Sequence, residues 1–335
     1  MRLARPALSS FAALLLAALA TSAQAATDSI NLGSYQVTGT YALDTLAGAA
    51  NGLSGLEASA VTYARDRGTL FYVGDEGTGV VEISLTGQTL GNMAFNWAGT
   101  GSSKHDTEGL AYLGGGVLVV TEERLYDAYR FNYNAGGTAT LANSAVSISN
   151  ANVGNSGLEG ISYDARNGGS FVTVKQEAPQ DILAGTLTFA SGSAGTHTMA
   201  NLFNPNLMGV STLSDVQTLS PIDALAGTAA ADNLLVLSLG SRELIEVTRL
   251  GQVKSRLDLS AILPHNGIEG VTVDEKGNIY LVAEQIQDGS NLPLDPSPRS
   301  QLIVLSAPAV PEPASYAMVL GGLGLIGLMS RRKKV

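Results

Sequence analysis

The 335-residue sequence reads as an all-β chain of repeated antiparallel sheets, and three observations point there. Charged residues make up only 14% while glycine numbers 39, a balance that suits short strands joined by tight turns better than amphipathic helices. Five segments open on an acidic residue ahead of a short strand: Leu56-Glu57-Ala58-Ser59, Thr107-Glu108-Gly109-Leu110, Leu158-Glu159-Gly160-Ile161, Ser214-Asp215-Val216-Gln217 and Ile268-Glu269-Gly270-Val271. Their acids lie 51, 51, 56 and 54 positions apart. A period in the fifties with several strands per unit predicts a β-propeller of five blades rather than a helical solenoid.

Within each unit the second strand is the most apolar: Leu70-Phe71-Tyr72-Val73, Val117-Leu118-Val119-Val120, Phe171-Val172-Thr173-Val174, Leu234-Leu235-Val236-Leu237 and Ile279-Tyr280-Leu281-Val282. Strands apolar on both faces are those sandwiched between neighbouring blades. Third strands such as Val80–Leu85 and Glu243–Val247 alternate and belong nearer the rim. Gln252–Leu257 reads as an outer strand, and Tyr35–Tyr41 as its counterpart ahead of the first acidic opening. Having no blade of its own, that N-terminal strand is expected to pair with Leu302–Leu305 and close the ring, leaving no long free edge. A sixth blade would need a repeat within residues 190–209 or 219–232, neither of which has an acidic opening.

The absence of cysteine excludes disulfides, thiolate catalysis and cysteine-ligated zinc. The formal charge is −10, and six of the 19 basic residues but only one acid, Glu312, sit in the end segments, so without these segments 13 basic residues face 28 acidic ones. Such a surface repels phosphate backbones, which argues against nucleic acid and for small cations as partners.

Arg2 and Arg5 precede an apolar run over residues 11–20, and Ala23-Gln24-Ala25 supplies the small residues of a cleavage site. Residues 1–25 are therefore expected to be a signal peptide removed by signal peptidase before Ala26. At the other end Pro311-Glu312-Pro313 is followed by a weakly polar run of 17 residues, 314–330, and then Arg331-Arg332-Lys333-Lys334. As a helix that run would span about 25 Å, enough for a slightly thinned bilayer, with the basic cluster held in the cytoplasm. The three parts in this order resemble the bacterial PEP-CTERM signal. The resemblance implies recognition of residues 310–335 by an exosortase in the inner membrane, cleavage near Pro-Glu-Pro, and delivery to the outer surface or extracellular matrix.

Between the ends, residues 26–309 form the expected propeller domain. Glu-Gly-Leu-Ala-Tyr at 108–112, Glu-Gly-Ile-Ser-Tyr-Asp at 159–164 and Glu-Gly-Val-Thr-Val-Asp at 269–274 each lead to a strand and then to Glu122, Glu177 or Glu284. These segments resemble the SdiA-regulated propeller family over most of residues 30–307. The resemblance implies a propeller at the bacterial envelope and hands over no catalytic mechanism. The fourth repeat departs from the pattern, with Asp215 for Glu and Ser238-Leu239 where the others carry a carboxylate.

Equivalent positions of five repeats converge on a central channel, so Glu57, Glu108, Glu159, Asp215 and Glu269 are expected to form one acidic ring. Crowded carboxylates raise one another's pKa unless a cation or hydrogen bonds compensate. The ring either locks blade to blade through backbone N–H groups or binds. A second set, Glu76, Glu122, Glu177 and Glu284, follows the second strands and is either a Ca²⁺ site or a solvated rim. His105 and His265 fall in loops just before ring acids, as general bases, metal ligands or plain surface residues. No Gly-x-Ser-x-Gly elbow, phosphate loop or His-Glu-x-x-His helix occurs. Two functions are compatible with this inventory: a surface-delivered binding protein for exopolysaccharide or an envelope protein, or a Ca²⁺-dependent hydrolase of phosphoesterase or esterase type.

Overall fold

The computed structural model describes residues 27–43, 57–75, 77–149, 154, 156–176, 179–286 and 299–308. The expected signal peptide, the sorting segment with Pro311, Glu312, Pro313, Arg331, Arg332, Lys333 and Lys334, and the acids Glu76 and Glu177 lie outside them. Among the described residues no helix is long and apolar enough to cross a membrane. Apart from short 3₁₀ turns and loops the described chain is β-structure, in five blades of antiparallel strands, with Thr138–Thr140 added parallel to Thr89–Asn96 at the edge of the first.

Blade 1 runs outward through Ala58–Ala64, Thr69–Gly74, Gly79–Ile83 and Thr89–Asn96, and blade 2 through Thr107–Gly114, Val117–Glu122, Asp127–Asn132 and Ala145–Ser147. Blade 3 has Leu158–Asp164, Ser170–Lys175, Asp181–Gly185 and the two-residue Ala200–Asn201, while blade 4 has Asp215–Thr218, Leu234–Ser238, Glu243–Val247 and Val253–Asp258. Blade 5 is Asn266–Val273, Ile279–Ile286 and Gln301–Ser306, completed by the N-terminal Gln36–Ala42. Residues 190–209 hold two two-residue strands and a 3₁₀ turn, and residues 219–232 hold two 3₁₀ turns between the first and second strands of blade 4, not a sixth blade.

The core is divided into five clusters, one at each blade interface. Strand periodicity makes this division. In the second strand of blade 1, Leu70 and Tyr72 pack toward blade 5, whereas Phe71 and Val73 pack toward blade 2. Leu234 and Val236 of blade 4 likewise face blade 3, and Leu235 and Leu237 face blade 5. These strands are apolar throughout because neither face meets water.

The N-terminal segment closes the ring in two steps. First it crosses blade 4, where the buried Glu246 carboxylate accepts hydrogen bonds from Ser29 Oγ (2.5 Å), Ile30 N (3.1 Å), Asn233 Nδ2 (2.8 Å) and Ser255 Oγ (2.8 Å). Leu32 and Tyr35 enter the core between blades 4 and 5. Then Gln36–Ala42 pairs antiparallel with Gln301–Ser306, from Gln36 opposite Ser306 to Ala42 opposite Gln301. Deleting residues 30–43 should therefore bare the edge of blade 5, strand Glu246, and abolish cooperative unfolding or cause aggregation. A truncated protein with the melting curve of the intact one would contradict this closure.

Candidate functional site

The inner strands of the five blades contact one another in turn around a common axis. What faces that axis is decided by a β-bulge at the head of the strands. The pairing of inner with second strand slips between Ala58 and Ala60, between Thr107 and Gly109, between Leu158 and Ile161, and between Ile268 and Gly270. A bulge turns its extra residue out of the sheet's alternation, and here those residues are Ser59, Glu108, Glu159 and Glu269. The glycine after each Glu serves a different need: a Cβ at Gly109 would stand 2.6 Å from the Glu159 carbonyl oxygen, and one at Gly270 2.9 Å from that of Ser59. The Glu-Gly pair thus aims a carboxylate inward and lets the next blade approach.

Three cross-blade hydrogen bonds fix the register. Tyr112 N donates to Thr62 Oγ1 (3.1 Å), Tyr63 N to Thr272 Oγ1 (3.1 Å) and Thr218 N to Ser162 Oγ (3.0 Å). Counting back from Tyr63, Tyr112 and Thr218, the bulge layer is Ser59, Glu108, Glu159, Ser214 and Glu269. Glu57 and Asp215, grouped with the ring by sequence spacing, stand off that layer by two positions and one. Glu57 accepts from Gln285 Nε2 (3.0 Å). Asp215 takes the place of the glycine, and its carboxylate accepts from Val216 N and from Val271 N of blade 5, both at 2.7 Å. It is a bond between blades.

The next layer agrees with the spacing estimate at Glu284 and is one residue away from it in blades 1, 2 and 3. Asp75 N donates to the Glu57 carbonyl, Glu123 N to that of Asp106 and Gln176 N to that of Gly157, which makes Asp75, Glu123 and Gln176 equivalent. Ala283 opposite Ile268 adds Glu284 to this layer. Glu122 has its oxygens engaged by Ser102 Oγ (2.6 Å) and Leu125 N (2.7 Å), so it is not a free member of a metal set. His105 has a left-handed backbone and stacks its ring on Trp97, centroids 5.0 Å apart. His265 sits half-buried in the loop before Asn266–Val273.

Carboxyl groups from both layers and the residues leading into them now share one mouth of the channel. One oxygen each from Asp75, Asp106 and Glu108 lies within 4.8 Å of the other two. Asp106 neighbours the Asp75 and Glu123 side chains, Glu123 neighbours Glu159, and Glu269 neighbours Glu284. Carboxyl groups crowded in this way favour the protonated form. Burial first, then the charges of Glu159 and Glu269, push Glu108 well above the ordinary carboxylate range. Burial and Glu123 do the same to Glu159, and burial and Glu284 to Glu269. Burial lifts Glu123 and Glu284 to about 7. Asp106 goes the other way, because the Asp75 hydrogen bond and the Arg124 guanidinium outweigh its burial. Glu284 also leaves its buried Oε2 without a hydrogen-bond partner.

Residues 29–285 match the model of the SdiA-regulated family, and residues 309–334 match the PEP-CTERM protein-sorting motif. Among solved structures, Myxococcus xanthus glutaminyl cyclase is 14% identical with a TM-score of 0.48, covering 82% of this chain and 97% of that one. A luciferin-regenerating enzyme is 11% identical with a TM-score of 0.44, covering 81% of this chain and 96% of the other. Likenesses at this level bear on neither activity nor ligand.

The two kinds of channel acid should respond oppositely to mutation. Carboxyls whose folded pKa is raised from 4.5 to about 7 contribute stability that is whole below pH 4.5 and lost as pH rises through 7. In chelator the melting temperature should fall between about pH 5 and pH 8, and Glu159→Gln should flatten that fall and raise the pH 8 value by several degrees. Asp215→Ala, which orphans two buried N–H groups, should cost about 2–4 kcal/mol at either pH. Thermal melts across pH check both, and a destabilised Glu159→Gln would contradict the assignment.

Proposed function

This chain belongs to the SdiA-regulated family, and we propose that it is an exported, exosortase-processed binding propeller whose acidic channel mouth takes Ca²⁺. The PEP-CTERM motif implies export toward the envelope and processing by exosortase. In this reading signal peptidase removes residues 1–25, the tail helix holds the chain in the inner membrane for a time, and cleavage delivers residues 26–309 to the outer surface or extracellular matrix. There it engages exopolysaccharide or an envelope protein.

One observation carries the metal assignment: Asp75, Asp106 and Glu108 bring carboxylate oxygens to within 4.8 Å of each other. The donor set is all oxygen, which suits a hard cation of variable coordination number, and Glu284 beside Glu269 has a buried oxygen lacking a hydrogen-bond partner. This set differs from Glu76, Glu122, Glu177 and Glu284. Glu122 is bound elsewhere, and Glu76 and Glu177 lie outside the described residues.

Ca²⁺ at a hundredfold excess over Kd should stabilise the folded protein by about 2.7 kcal/mol, a shift visible in a melt. Mg²⁺, which demands compact octahedral geometry, should do less. Asp75→Asn combined with Asp106→Asn should remove the Ca²⁺ increment. Equal melting points in EDTA, Mg²⁺ and Ca²⁺ would defeat the metal site. Ca²⁺-dependent hydrolysis of phosphoesters or carboxylic esters, lost in Asp106→Asn, would replace the binding role with the hydrolase, for which His105 and His265 are the candidate proton-transfer groups. Mass spectrometry should find a mature form lacking residues 314–335, and a mature form retaining residues 320–335 would contradict exosortase processing.

A further inference from the structure

The inner strands carry their acids at one end, and at the other end, four residues on, they carry tyrosines. Tyr63, Tyr112 and Tyr163 hold the same register position in blades 1, 2 and 3. They line a cavity of about 620 Å³ at the opposite mouth of the channel, within the size range of small-molecule sites.

Each ring is half-buried and backed by a second aromatic. Tyr112 stacks on Phe71 (5.8 Å, 16°), Tyr63 on Tyr280 (6.5 Å, 7°), and Tyr163 leans on Phe171 at 5.0 Å. The Tyr112 hydroxyl is also restrained, accepting from Gly116 N (2.8 Å). Rings held from behind offer a fixed apolar face at little entropic cost.

The arginines around the cavity are already matched. Arg65 makes two bonds to Asp223 (2.9 and 2.8 Å), and Arg166 meets Asp164 at 2.7 Å and Asp232 at 2.9 Å. Asp66 accepts from Gly115 N (3.1 Å). Gln217, Ser220 and Thr272 add neutral donors and acceptors to the wall. An anionic ligand finds both arginines of the wall already paired, whereas one with flat C–H faces edged by hydroxyls finds both aromatic platforms and hydrogen-bond partners.

We propose that the Tyr63, Tyr112 and Tyr163 mouth binds a neutral pyranose oligosaccharide. The inference rests on the binding role above for its setting but not on the metal, since the cavity is at the other end of the channel.

Calorimetric titration of the purified exported protein with neutral tetrasaccharides of glucose, galactose, mannose and N-acetylglucosamine, and with a tetragalacturonate, tests it. At least one neutral sugar should bind with Kd below about 1 mM, unchanged by EDTA, while the uronate binds at least tenfold more weakly. Tyr112→Ala and Tyr163→Ala should each weaken binding about tenfold or more, and Tyr163→Phe, which keeps the platform, should lose little. Melting curves of each variant verify that it is folded. A folded protein that binds none of the neutral sugars, or binds them unchanged in both alanine variants, or prefers the uronate, overturns the proposal. Ca²⁺ stabilisation with no sugar binding would refute this site and leave the acidic mouth standing; the reverse result would refute the metal alone.

Discussion

Five inner strands have to run side by side around one narrow axis, and the bulge with its following glycine is how the backbone does it. The bulge adds a residue to the inner strand and turns it out of the sheet. The glycine removes the Cβ that would strike the neighbouring strand. Carboxylates at the axis are the consequence of placing Glu at the bulged position in three of five blades. Where blade 4 departs from this, with Asp215 in the glycine's place, the side chain finds the adjacent backbone instead and becomes a strut between blades 4 and 5.

The same geometry sets two chemistries at the two ends of the channel. At the strand heads, buried acids face acids and hold protons that carboxylates ordinarily lose, with Arg124 drawing Asp106 to the ionised side. Four residues further the inner strands present ring faces among paired ions. The hydrophobic clusters between blades support both ends, because the apolar side chains Leu70 to Val73 of the second strand in blade 1, and Leu234 to Leu237 in blade 4, are committed alternately to one interface or the other.

The architecture was readable in the chain because its signals are periodic: an acid every fifty-odd residues, second strands apolar on both faces, and an N-terminal strand lacking a blade. The site was readable only to within one or two positions, because spacing does not see bulges. Leu56-Glu57-Ala58 mimics the Glu-Gly opening, yet aligning Tyr63 with Tyr112 and Tyr163 puts Ser59 in the ring and Glu57 two residues early. In Glu122-Glu123 two acids stand side by side in the sequence, and only the pairing of Glu123 N with Asp106 O, matched by that of Asp75 N with Glu57 O, tells which lies in the channel layer. The tyrosine repeat stood in the sequence as part of the strand pattern, and its chemistry emerges only when three blades bring the rings to one mouth.

Burial and neighbouring charge hold the channel acids protonated, and the proposed Ca²⁺ would have to displace those protons. Titrating Ca²⁺ into chelator-stripped protein in two buffers of different ionisation enthalpy counts the protons released. Release of about one proton or more per ion is expected near pH 6.5, close to where Glu123 and Glu284 titrate, falling toward zero at about pH 9. Binding heats that are the same in both buffers at pH 6.5 would contradict it.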